Sequence, residues 1–187
     1  MKHPEILLLP ILMFSDYFLT VLGAIQKVKK YGDHFKTLHY ELNPTWQKQI
    51  SKKQWFNLHH ILLTIIFTSI LTLLIEFFNM PNFLVQEILG FLFVLFGMII
   101  GRHLSNILAF QYLVMKPNEI SGQITMAHTF QLYISTFQYL VCVVPMLIIA
   151  FFVPTPFIIG GLFGALSVIV IHVSWIYKHK RQEKTST

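Results

Sequence analysis

Asp16, Arg102, His103 and His128 are ionisable residues set in otherwise apolar sequence, and Glu41 and Asn43 stand in a short polar stretch between two apolar blocks. A carboxylate paired with a histidine suits acid–base catalysis or a divalent cation, while a lone carboxylate inside a membrane suits a proton or ion path. Thr20 lies one helical turn after Asp16, and Asn106 one turn after Arg102, so each pair shares a helix face. These eight residues form the candidate polar cluster. The pattern names no cofactor and no particular metal, because no H-E-x-x-H, D-D-x-x-D or G-x-S-x-G arrangement is present.

The elements that must position them are helices. Apolar residues make up 55% of the 187-residue chain and charged residues 12%, a balance that leaves no soluble domain. The apolar blocks span about 5–26, 58–78, 83–101 with a helical pattern continuing to 115, 132–153 and 157–177. Each approaches the ~20 residues that cross a ~30 Å hydrocarbon core. The expected fold is an all-α polytopic bundle of about five transmembrane helices, one membrane domain over residues 1–187. A cytoplasmic connection occupies 27–57 and a cytoplasmic tail 178–187. Run to Met115, the third helix would be about 48 Å long at ~1.5 Å per residue.

Charge orients the chain. Lys27, Lys29, Lys30, Lys36, Lys48, Lys52 and Lys53 lie in the first connection, Arg102 and Lys116 after the third block, and Lys178, Lys180, Arg181 and Lys184 in the tail. Lys2 alone falls on the other side. The positive-inside rule then puts the N-terminus outside and the C-terminus in the cytoplasm of a cell-membrane protein. The outer connections, 79–82 and 154–156, are tight proline turns. A net charge of +6 follows from this topology and gives no reason to expect nucleic-acid binding. Asp16 interrupts the first apolar block, so that block reads as a retained helix and not a cleaved leader. Within the first connection, Asn43 and Pro44 read as the start of an interfacial amphipathic helix, with Trp46 and Ile50 on one face and Trp55 and Phe56 at headgroup depth.

Polar residues at helical spacing mark inward faces: His60, Thr64, Thr68, Thr72 and Glu76 in the second span, His128, Gln131, Ser135 and Gln138 in the fourth, and His172 beyond the glycines of the fifth. The threonines suit helix-backbone bonding and interhelical contact, and Glu76 and Glu87 fall near the outer boundary as solvated groups. Gly160, Gly161 and Gly164 offer close helix packing or a contact to a second copy or a complex partner. His34, His39 and His59 lie in or beside the cytoplasmic connection. Cys142 is the single cysteine and, lying mid-span in the fourth block, reads as a small buried apolar residue. Asp16 stands apart, because an aspartate at mid-span costs at least ~2.5 kcal/mol to insert.

Asp16-x-x-x-Thr20 followed by Glu41-Leu42-Asn43-Pro44 resembles an uncharacterised family of small prokaryotic multipass membrane proteins with an acidic first helix and an E-L-N-P motif. The resemblance covers Phe14 to Trp46. The segment from Gly23 to Glu41 is longer than that pattern, and Tyr40 stands where glycine is expected. The resemblance implies that Asp16, Thr20, Glu41, Asn43 and Pro44 form a unit, with Glu41 and Asn43 folded back under the first span, and it implies no activity. Three functions fit the residues. Transport of a proton, ion or small polar solute, or an accessory role in a membrane complex, ranks first. The alternative is an intramembrane enzyme acting on a lipid or isoprenoid at the cytoplasmic surface, for which His103 or His128 should lie within ~3 Å of a carboxylate, directly or through one water.

Overall fold

The computed structural model describes residues 2–29, 31–37, 40–78 and 80–186, with side chains as far as Arg181. Lys30, His39 and Asn79 of the charge, histidine and turn readings lie outside them, as does the Lys184 side chain. In chain order the elements are α1 (Leu8–Lys27), α2 (Tyr31–His34), β1 (Phe35–Thr37), α3 (Gln47–Ser51), α4 (Leu58–Phe77), α5 (Asn82–Met115), β2 (Ile124–Met126), α6 (His128–Phe152) and α7 (Pro156–Ser186). Five of the helices are long and apolar enough to cross a membrane. Helix α5 is continuous to Met115, and its apolar face runs on through the buried Ile107, Phe110 and Leu113.

The helix starts follow from local chemistry. Asn57 caps α4, its side-chain oxygen accepting from the amides of His59 at 3.0 Å and His60 at 3.3 Å. Thr155 precedes α7, its carbonyl accepting from Ile159 at 2.9 Å, and Pro156 occupies the first turn, where a missing amide hydrogen leaves nothing unpaired.

Helix α5 is the central post. It packs along α1 on one side and α7 on the other, with α4 against α1 and α6 against α7. The α5–α7 contact is close because Gly90, Gly160 and Gly164 have no side chain. A Cβ on Gly160 would meet the Glu87 backbone, and one on Gly164 the Phe91 backbone. The glycine face that could serve a second copy is thus taken up inside the chain. Outward faces carry large exposed apolar side chains such as Ile66, Phe67, Phe137 and Phe163, as lipid contact requires.

The two ends of the bundle differ. At the end where α4 gives way to α5 and α6 to α7, Ile6, Leu9, Leu71, Ile75, Val85, Leu89 and Leu92 form a dry cluster. The carboxylate of Glu76 is not solvent-facing alone there, since it accepts from the Lys2 amide at 2.8 Å and the His3 amide at 3.1 Å. At the opposite end the two longer loops are stapled together: β1 pairs in parallel with β2, Phe35 opposite Ile124, and His34 donates to the Gly122 carbonyl at 2.9 Å. The threonines of α4 turn to their own helix, Thr72 donating to the Thr68 carbonyl at 2.8 Å and Thr68 to that of Thr64.

Candidate functional site

Between the dry cluster and the loops lies a cavity of about 110 Å³. Asp16 and Thr20 reach it from α1, Arg102 and His103 from α5, and Glu41 and Asn43 from the strand of chain that closes its loop side. That strap is held by its own sequence. Leu42 is buried against Leu132 and Ile176 of α6 and α7, and Ile50 is buried against Tyr17, Val21 and Ala24 of α1. Asn43 turns the chain: its amide donates to Glu41 Oε1 at 2.6 Å and its Oδ1 accepts from Thr45 at 3.0 Å. The regular helix starts only at Gln47 and is five residues long, because Asn43 caps a turn and not the helix. Pro44 lies exposed and outside the cavity.

His103 is 2% exposed and sits at the centre. Thr20 donates its hydroxyl hydrogen to the Asp16 carbonyl at 2.8 Å, so Thr20 Oγ1 must accept from His103 Nε2 at 2.9 Å. The same Nε2–H faces Asp16 Oδ1 at 3.3 Å. In the neutral tautomer that this bonding selects, Nδ1 carries the lone pair, and the Tyr40 hydroxyl faces it at 3.4 Å. Asp16, His103 and Tyr40 are therefore in line: a carboxylate that orients an imidazole, and a phenol on the imidazole's open nitrogen. Room for Tyr40 comes from Gly23, where a Cβ would run into the phenol. Burial pushes the Tyr40 hydroxyl up to about 12. Burial also raises the Glu41 carboxyl above its ordinary range, with His103, Arg102 and the Asn43 amide pulling it part of the way back.

A second chain of bonds runs across the bundle. Arg102 Nη1 donates to Ser135 Oγ at 2.7 Å, and Ser135 is 3.1 Å from His172 Nε2. Because His172 Nδ1 donates to the Val168 carbonyl at 2.9 Å, its Nε2 accepts the Ser135 hydroxyl hydrogen. The Arg102 guanidinium also lies 5.4 Å from the centre of the Tyr139 ring. Among the described residues no carboxylate lies within ion-pair distance of Arg102, and its buried Nε has no hydrogen-bond partner. It is His103 and not Arg102 that reaches Asp16.

Six of the eight candidate residues thus line one cavity: Asp16, Thr20, Glu41, Asn43, Arg102 and His103. Asn106 lies one turn further along α5 and lines an adjoining cavity of about 160 Å³ with Arg102, Tyr40, Ser135 and Gln138. His128 is not brought in. It opens α6 two turns before Ser135, roughly 10 Å along the axis, and its ring lies 5.2 Å from that of His179. Tyr40, Tyr139 and His172 are the participants that the candidate cluster lacks. His172 belongs to a visible stripe, but its tie to Ser135 depends on how α6 and α7 are rotated. Tyr40 follows a loop of no regular period. His60 also lines the cavity, its ring 4.6 Å from that of Tyr17 and 5.5 Å from that of Trp46.

Among the described residues no three histidine, cysteine, aspartate or glutamate side chains gather closely enough to hold a metal ion. Compared with models of protein families, with curated proteins and with solved structures, the chain matches none.

Proposed function

We propose that this chain is a membrane-embedded enzyme carrying out acid–base chemistry on a lipid at the cytoplasmic surface of the cell membrane. The observation that carries the reading is the line Asp16–His103–Tyr40, with Asp16 and His103 lining one cavity, Tyr40 the adjoining one, and Arg102 bordering both. His103 accepts a proton at Nδ1 from a water or substrate hydroxyl entering where the Tyr40 hydroxyl now faces the ring. Asp16 fixes the ring and stabilises the imidazolium that forms. Arg102 stands ready for negative charge developing on the substrate. The imidazolium then returns that proton to the leaving oxygen, and Tyr40, held protonated by burial, donates a hydrogen bond to it.

A cavity of about 110 Å³ admits a few waters or the reacting part of a headgroup, so the rest of the lipid lies outside it. A carrier would need the polar path to continue past Leu9, Leu89 and Leu92, where the packing is apolar and dry. An accessory protein would need Asp16 sealed in packing, yet its side chain is 25% exposed, on the cavity side.

The test is lipid turnover in vesicles of a bacterial polar lipid extract, followed by mass spectrometry, for the unmodified chain, Asp16→Asn and His103→Gln. One lipid class should be converted by the unmodified chain, with a loss of about 10²–10⁴-fold in His103→Gln. Identical lipid profiles for all three chains would refute the enzyme reading.

A further inference from the structure

Helix α7 packs along both α5 and α6, while α5 and α6 barely touch each other. The slot between them is a cavity of about 810 Å³, the largest of those described here and overwhelmingly apolar. Phe93, Met146 and Ile149 line its far part, and Arg102 with Tyr139 and Gln138 its other end. Two glycines of α5 face it. Unlike Gly90, Gly160 and Gly164, which make room for neighbouring backbone, Gly97 and Gly101 would place a Cβ where nothing lies within 4 Å. Helix packing does not require them. What their missing side chains preserve is the width of the slot.

We propose that this slot holds one acyl chain of an anionic phospholipid drawn from the surrounding bilayer, with the lipid phosphate at Arg102. Length fits: from Arg102 to Phe93 is nine residues of helix, roughly 14 Å, close to the ~15 Å depth of one leaflet. Charge fits as well. A cation in a membrane-spanning helix needs a counter-charge, and Arg102 has none within 4 Å among the described residues, with a buried Nε–H still to donate. A phosphate supplies paired oxygens that match the guanidinium fork, with Nη1 remaining on Ser135. Arg102 borders both the slot and the cavity of His103, so a lipid bound this way brings its headgroup ester oxygens to the imidazole. The proposal rests on the enzyme reading only in taking this lipid as the substrate.

Cys142 is exposed and not buried as its mid-span position suggests, because it lines the slot, and this makes it a reporter in the unmodified protein. The experiment is its rate of alkylation by a neutral, membrane-permeant maleimide in vesicles of phosphatidylcholine, with and without a minority of phosphatidylglycerol. The anionic lipid should slow alkylation about tenfold in the unmodified chain, the effect of one charged, hydrogen-bonded contact. Arg102→Gln should abolish the difference between the two vesicles. Gly97→Leu, whose Cβ would meet nothing within 4 Å and whose side chain would enter the slot, should abolish it too. His103→Gln should keep the protection even where lipid turnover is lost, which separates failure of binding from failure of chemistry. Equal alkylation rates in the two vesicles of the unmodified chain, or a difference that survives Arg102→Gln, would overturn the proposal. Protection by inorganic phosphate in phosphatidylcholine vesicles would overturn it in favour of a soluble phosphoester.

Discussion

The turn-side half of the bundle packs Ile6, Leu9, Leu71, Ile75, Val85 and Leu89 against one another, whereas the loop-side half of the same helices surrounds a cavity with Asp16, Glu41, Arg102 and His103. Leu9 and Asp16 are two turns apart on α1. One half owes its order to shape, through glycines that admit neighbouring backbone and side chains that exclude water. The other owes it to hydrogen bonds whose donors and acceptors can be exchanged, as Thr20, Asp16 and Tyr40 compete for the two nitrogens of His103. The contrast teaches that stability and chemistry are separable along this bundle. The dry half clamps α1, α4, α5 and α7, and the wet half can then keep a cation that has no carboxylate within ion-pair distance among the described residues.

The largest effect should come from breaking the dry half at its closest approach. Gly164→Leu drives a side chain into the Phe91 backbone, which cannot yield, and should cost about 3 kcal/mol or more. Gly97→Leu, a chemically identical change on open space, should stay within about 0.5 kcal/mol. Thermal unfolding in detergent, monitored by circular dichroism, checks both, and equal losses would erase the distinction between the two glycine faces. Next comes Leu9→Ala in the dry cluster, where Leu9 is fully buried. It should lower stability by about 2–5 kcal/mol while the folded fraction keeps its lipid turnover. Loss of turnover without loss of stability would show that the two halves are coupled.

The smallest effect belongs to the wet half. The Glu41 carboxyl is raised in the folded chain, so its stabilising contribution is complete below the ordinary carboxylate range and fades as pH rises through the raised value. Glu41→Gln should therefore raise the unfolding midpoint at neutral pH, with the gain shrinking to nothing in acid. Unfolding midpoints across a pH series check it. A loss of stability at neutral pH would mean that Glu41 supports the strap as an anion.

Much of this was legible in the chain. Five long apolar helices follow from composition and period, and the extension of α5 to Met115 from the continued spacing of Ile107, Phe110 and Leu113. Asp16, Thr20, Arg102 and His103 were legible as polar residues in apolar helices, and Glu41 and Asn43 from the Glu41-Leu42-Asn43-Pro44 stretch. What was not legible depends on relative rotation or on loops. The tie from Arg102 through Ser135 to His172 needs α5, α6 and α7 in register, and no single-helix period carries that. The pairing of β1 with β2 involves three residues on each strand, too short for an alternating pattern. His128 carries the right chemistry on the right helix, but helical rise keeps it two turns from Ser135.

The most direct measurement is nitrogen NMR of ring-labelled histidine in the reconstituted chain, with the His103 signals assigned by His103→Gln. If Asp16, His103 and Tyr40 act as one unit, Asp16→Asn should shift chiefly the protonated Nε2 signal and Tyr40→Phe chiefly the Nδ1 signal of the same ring. His103 signals unmoved by both substitutions would contradict the unit and, with it, the acid–base role.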